Sequence, residues 1–308
     1  MSLRVHTDHD EAVHLRPRLQ ELLAALRLDV TYERAAGDHL VYRDGRGREV
    51  EVLDLVGGYG SLLLGHSHPR LVAEAQRLLA AGRPMHVQGA NRPYAQRLAV
   101  ELSRRAGGDY AVVLGNSGAE AVEAGLKHAM LRTGGRTFIA LEGAFHGKTL
   151  GAVQLTSDAF YRDAFELTGM RVLQVPPDEP DALEGAFAAA GGDLAGFVFE
   201  PVLGEGGVRP LSREFVQRAA TLCRSTGAAF IADECQTGVG RTGRFLAAHA
   251  LGVQPDTILL SKALGGGLAK ISACLLSRER YDHGFDIRHT STFADDDYSC
   301  AIALQTLE

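Results

Sequence analysis

Apolar positions along the chain fall into two rhythms. Near the start, leucines recur at helical spacing among charged residues over positions 11–28, which predicts an amphipathic helix. Two β-like runs follow at 39–42 and 49–55, and the Asp44-Gly45-Arg46-Gly47 turn between them predicts a hairpin. From about position 69 onward, helical segments alternate with short apolar runs at 110–114, 137–141, 196–199, 228–231, 257–260 and 272–276. That alternation predicts βαβ units, and therefore an α/β domain with a mostly parallel sheet covered by helices. Residues 176–180, PPDEP, are the clearest internal loop, and there is no repeat or low-complexity tract. The chain is accordingly divided into an N-terminal helix and hairpin segment, residues 1–60, and a large α/β domain, residues 61–308.

Composition narrows the class without naming a chemistry. With 308 residues, 45% of them hydrophobic, the chain can bury a large core. A net charge of −6 and the lack of a basic stripe argue against nucleic acid as a partner. No apolar run reaches membrane-spanning length, and the charged N-terminus is unlike a signal peptide, so no membrane association and a cytoplasmic location are expected. Cys223, Cys235, Cys274 and Cys300 lack the paired spacing of zinc sites or disulfide scaffolds and are expected to be reduced thiols.

Chemistry concentrates where apolar runs end. FIADECQTGVGRTG (230–243) is an apolar run closing on an acidic pair; after an expected intervening helix, ILLSKALGGGL (258–268) closes on a lysine before three glycines. Asp233 and Lys262 are thus expected at the carboxyl ends of two strands, where open α/β sheets bind ligands. Singly, Asp233 could be a helix cap and Lys262 a solvated side chain. Together they suit pyridoxal phosphate, which lysine holds as a Schiff base while a carboxylate faces the pyridine nitrogen. In VVLGNSGAEAVEAGLKHAM (112–130) a strand runs through Gly115-Asn116-Ser117-Gly118-Ala119 into a helix, whose free amides, with the Ser117 hydroxyl, offer an anion pocket that fits a phosphate. Phe145 and His146 stand in a Gly-flanked loop, where the Phe145 ring either stacks on a flat cofactor or packs into the core.

The order GHSHP (65–69), NSGAEAVEAGLKHA, FHGKTLGA (145–152), EPVLGEGG (200–207), DECQTGVGRTG, PDTILLSKALGGGL and STF (291–293) resembles the class III aminotransferases, fold type I pyridoxal phosphate enzymes that include ornithine, acetylornithine and 4-aminobutyrate aminotransferases. The resemblance implies transamination between an amino acid or ω-amine donor and a keto acid or aldehyde acceptor. It implies that Lys262 carries the cofactor, Asp233 pairs with its ring nitrogen, Ser117, Gly118 and Ala119 hold its phosphate, Phe145 stacks on the ring, His146 belongs to the cofactor pocket and Gln236 reaches the phenolic oxygen. Thr292 is implied to bind the phosphate of a neighbouring subunit's cofactor, so a homodimer with shared sites is expected. Glu205, Lys148 and Tyr59 are implied on the substrate side, and His66 and His68 in a structural loop rather than at a metal.

The sequence also departs from the family pattern. Cys235 stands where valine is usual, Lys148 replaces the arginine of FHGRT and so lacks the planar fork suited to a carboxylate, and LAKISA and ADDDYSC replace LPIGA and GNP. Relative to the family the C-terminal small domain, which supplies an arginine for the substrate carboxylate, is expected to be missing. Racemases, aminomutases and decarboxylases share the cofactor motifs and form the second reading of the reaction, and a non-catalytic assembly module the third.

Overall fold

The computed structural model describes residues 15–308 apart from residue 88. The chain divides into two compact units, residues 1–55 and 56–308. In the first, helix α1 (Pro17–Ala25) covers part of the expected helix, of which positions 11–14 lie outside the described residues. Strands β1 (Arg34–Ala36), β2 (His39–Arg43) and β3 (Glu49–Leu53) form an antiparallel sheet. The β2–β3 turn is built by Asp44, whose Oδ1 accepts the amides of Arg46 and Arg48 at 2.8 and 2.9 Å while Oδ2 pairs with the Arg48 guanidinium at 2.7 Å. Those bonds, led by the Arg48 amide, hold the Asp44 carboxyl below its ordinary range.

The second unit is organised by a seven-stranded sheet. Its strands are β4 (Tyr110–Gly115), β5 (Thr137–Leu141), β6 (Arg171–Val175), β7 (Leu194–Phe199), β10 (Ala229–Asp233), β11 (Thr257–Leu260) and β12 (Ser272–Ser277). A two-residue antiparallel pair, β8 (Val202–Leu203) with β9 (Arg209–Pro210), stands apart. The order across the large sheet is β4-β12-β11-β10-β7-β5-β6, parallel throughout except for β12, which is antiparallel to both of its neighbours.

Side chains of successive strand residues point to opposite faces, and each face has its own helices. Phe138, Ala140, Val198, Ile231, Leu259, Cys274 and Leu276 share a core with helix α4 (Gly118–Thr133). On the other face, Ile139, Leu141, Phe197, Phe199 and Phe230 pack with helices α6 (Pro180–Ala190) and α7 (Arg213–Thr226). Further along that sheet, Ile258, Leu260, Ala273 and Leu275 pack with helix α3 (Pro93–Arg105). Helix α2 (Pro69–Ala80) meets the last helix, α8 (Asp297–Leu307), through Leu71, Leu78 and Ile302, and the short α5 (Leu150–Leu155) buries Leu155 beside α4. By the same two-residue period Asp233, the last residue of β10, shares the α4 face with Ile231.

The structure differs from the sequence reading at two points. Strand β6 was not read from the sequence: RVLQV mixes polar with apolar residues because it is an edge strand, half covered. Between residues 243 and 258 the chain makes a 3₁₀ turn, Ala248–Leu251, in place of a helix; buried Glu234 holds this connection in place, its Oε1 accepting the Ala248 amide at 2.7 Å. Residues 283–290 contain the one-turn helix Phe285–Arg288, whose Phe285 is buried against the His128 ring.

Candidate active site

Three chain segments meet on the α4 side of the sheet at its carboxyl-terminal edge. Strand β10 delivers Asp233; its parallel neighbour β11 continues into Ser261 and Lys262; and β4 feeds through Asn116 and Ser117 into α4. Their proximity is measured at Gly118. A Cβ placed there would lie 3.2 Å from Cys235 Sγ and 3.5 Å from Ser261 Cβ, so the absence of a side chain keeps the start of α4 close to both strand ends.

Helix α4 is capped within its own chain. Ser117 Oγ accepts the Glu120 amide at 3.3 Å, and the Glu120 carboxylate returns to the Asn116 and Ser117 amides, a reciprocal capping box. The amides of Gly118 and Ala119 have no partner within the helix, as expected of the first turn, and the positive end of the helix dipole lies with them. Ser117 Oγ therefore serves its own helix first; the anion donors proper are the two backbone groups.

Lys262 opens a 3₁₀ turn, Lys262–Gly265, with φ of 29°. A side-chain-bearing residue at positive φ is strained. Ser261 anchors the turn by donating its hydroxyl to the Ile271 carbonyl at 3.1 Å. The lysine itself is half-buried.

Asp233 is 5% exposed and held at both oxygens. Oδ1 accepts the Cys235 amide at 3.0 Å, and Oδ2 pairs with His146 Nδ1 at 2.8 Å. Burial lowers the His146 pKa, but the hydrogen bond and charge of Asp233, joined by Glu200, outweigh it, so the imidazole is held above its ordinary value. His146 Nε2 is buried with no hydrogen-bond partner. Burial, followed by the charge of Asp233, pushes the neighbouring Cys235 thiol well up and keeps it protonated.

Phe145 is half-buried and not part of the core. Its ring meets Tyr161 edge-on at 6.2 Å, and the exposed Lys148 places its ammonium 4.0 Å from the Tyr161 centroid and 5.8 Å from that of Phe145. Gln236 lies against Gly204 so closely that a Cβ there would overlap its Oε1 at 1.8 Å. Glu205, next in the same loop, is exposed. Tyr59 is 78% exposed, in a left-handed stretch where Gly57, Gly58 and Tyr59 all have φ between 54° and 58°. Thr292 is exposed in a turn, and the adjoining Ser291 accepts Asn116 Nδ2 at 3.0 Å, which ties this turn to the entry of α4. A cleft of about 1130 Å³ beside edge strand β6 contains none of the site residues expected from the sequence.

One buried member of the cluster was not singled out in the sequence. Glu200, 5% exposed, follows β7, and its oxygens accept the Phe145 amide at 3.0 Å and the Gly204 amide at 3.3 Å. The signal was available, since Glu200 closes the apolar run Leu194–Phe199 just as Asp233 closes β10.

Together these groups fit pyridoxal phosphate. Two unengaged helix amides offer a phosphate cradle, and a lysine follows the strand next to one that ends in a buried carboxylate, itself fixed by a histidine whose pKa is raised. Residues 24–308 match the family model for aminotransferase class III. Ornithine aminotransferase from Toxoplasma gondii superposes with a TM-score of 0.80 at 29% identity, over 94% of this chain and 70% of its own. An amine transaminase from an uncultivated Pseudomonas species, in its pyridoxal phosphate-bound form, superposes with a TM-score of 0.81 at 25% identity, over 97% of this chain and 73% of its own.

Proposed function

We propose, from the premise that this chain belongs to the class III aminotransferases and uses pyridoxal phosphate to move amino groups, that its site is assembled around Lys262 and Asp233. The observation that carries this assignment is the pairing of parallel strands β10 and β11. It sets a buried, doubly hydrogen-bonded carboxylate next to the strand whose exit holds the lysine. When bound, the cofactor delocalises the charge left on the substrate carbon as its proton departs.

The chain's own residues do the rest. Lys262 would carry the cofactor and, as a free amine, would remove and return the proton on the donor carbon. Asp233 faces the ring nitrogen and keeps it protonated; His146 and the Cys235 amide stop the carboxylate from rotating. The Gly118 and Ala119 amides hold the phosphate, Phe145 covers one ring face, and Gln236 reaches the phenolic oxygen. Lys148, Glu205 and Tyr59 line the substrate side. Borohydride reduction of the loaded protein followed by peptide mapping tests the assignment: the label is expected on Lys262, and a label on Lys127, Lys148 or Lys270 would overturn it.

The same reading makes the active unit a homodimer, with Thr292 reaching the phosphate bound by the partner. Its exposure and its tie through Ser291 and Asn116 to the phosphate loop support this. A two-fold interface makes the exchange reciprocal. Mixing Lys262→Ala subunits with Thr292→Ala subunits places both lesions in one site of a heterodimer and leaves the other intact. Partial recovery of cofactor affinity is expected in the mixture; no recovery would remove Thr292 from a shared site.

A further inference from the structure

Asp233 and His146 have an established place in the site reading given above. Glu200 has none, and it is as deeply buried as Asp233. A buried carboxylate is costly unless its oxygens are satisfied, and those of Glu200 are satisfied by backbone amides of two different loops. Oε1 accepts Phe145 N, from the loop after β5, and Oε2 accepts Gly204 N, from the loop between β8 and β9. The first loop carries Phe145, His146 and Lys148. The second carries Glu205, and its Gly204 is the surface on which the Gln236 side chain rests.

We propose that Glu200 is a positioning residue of the cofactor site, a single carboxylate that clamps the ring-covering loop at Phe145 to the Gly204-Glu205 loop and thereby fixes the ring contacts on both sides of the His146–Asp233 pair. This rests on the reading of the site given above. The geometry explains why the position needs a carboxylate. Two inward-pointing amides require two acceptors, and an amide side chain offers one acceptor and would turn an N–H toward the other donor. It also explains an electrostatic feature of the cluster. Burial, then the charge of Asp233, pushes the Glu200 carboxyl up to about 7, while His146 opposes the shift; the charge of Glu200 in turn helps hold His146 protonated. Glu200 acts on the cofactor only through Phe145, Gly204 and His146.

The test uses the full chain with Glu200→Gln and, as a harsher change, Glu200→Ala. In the apoprotein, hydrogen exchange at the Phe145 and Gly204 amides is expected to accelerate at one of the two in Glu200→Gln and at both in Glu200→Ala. With pyridoxal phosphate itself as the probe, Glu200→Gln is expected to keep the borohydride label on Lys262. Its Kd should rise about tenfold, the scale of one lost charge-assisted hydrogen bond, and the circular dichroism of the bound cofactor should fall as the ring loses its fixed tilt. If Glu200→Ala does not fold, Glu200→Gln alone decides. Unchanged exchange at both amides overturns the clamp. Loosened amides with parental affinity and circular dichroism overturn the positioning role. A parent chain that takes no cofactor on Lys262 overturns the site reading instead, and the exchange data still judge the clamp.

Discussion

At the scale of single residues, the site depends on groups whose neighbours fix their direction. Asp233 has one oxygen on His146 and the other on the Cys235 amide, so its remaining lone pairs point one way into the site. Asp233→Asn keeps the shape and removes the charge, and it puts an N–H donor where a His146 or Cys235 donor already points. The fold is expected to survive while the proton-transfer step slows by roughly 3–4 kcal/mol of barrier, on the scale of other preorganised electrostatic groups. Single-turnover kinetics with a deuterated donor check this, and a rate within threefold of the parent would remove Asp233 from the chemistry. The strand-end positions of Lys262 and Asp233 were legible in the sequence because each ends an apolar run. The clamp at Glu200 was not, because its partners are backbone amides, one of them 55 positions away, and a pattern of side chains carries no record of them.

At the scale of elements, helix α4 combines two roles at its N-terminus. Ser117 and Glu120 close the capping box, and this orients the first turn whose remaining amides face the site. Ser117→Ala is expected to cost about 1 kcal/mol of stability through the lost cap, measurable as a lower urea midpoint of the apoprotein, and also to weaken affinity for pyridoxal phosphate. A variant with parental stability would mean that the cap does not form in solution. Elements with an unambiguous rhythm were legible: β5 and β11 fall where the apolar runs at 137–141 and 257–260 place them, since every one of their residues is buried. Edge strand β6 escaped because half coverage permits Arg171 and Gln174. The 3₁₀ turn Ala248–Leu251 was mistaken for a helix because its alanines and leucine fit either form, and the deciding contact comes from Glu234, fourteen positions away in the Ala248 bond.

At the scale of the whole molecule, the buried charges give stability a direction in pH. Glu200 has its folded pKa raised to about 7, above its unfolded value of 4.5, so the folded state retains a proton that the unfolded state releases between those values. Its contribution is therefore fully present below the unfolded pKa and is lost as pH rises toward 7, with a slope of up to about 1.4 kcal/mol per pH unit. His146, also raised, acts in the same sense above 6.5, whereas buried His128, lowered first by burial, favours the folded state as pH rises through 6.5. Urea midpoints of the apoprotein at pH 5, 6, 7 and 8 separate these groups. The stability difference between parent and Glu200→Gln is expected to shift against the parent from pH 5 to 7 and then level off; a difference independent of pH would exclude the shift.

The placement of β12 has a consequence for how the chain acquires its shape during synthesis. Strand β4 borders only β12, and its register pairs Tyr110 with Ser277 and Gly115 with Ser272. As the chain leaves the ribosome, β4 therefore has no edge to join until almost the entire unit has been made, an interval on the order of ten seconds or more at cellular elongation rates. Strands β5, β6, β7, β10 and β11 can assemble in that time, because from β6 onward each pairs with a neighbour already synthesised. Since β4 leads directly into the α4 turn, the proposed phosphate cradle at Gly118 and Ala119 is set by one of the last pairings to form. On the proposed assignment of the site, the nascent chain passes through a state with a nearly finished sheet and no complete place for the cofactor's anion, and cofactor capture belongs to the end of folding rather than its beginning.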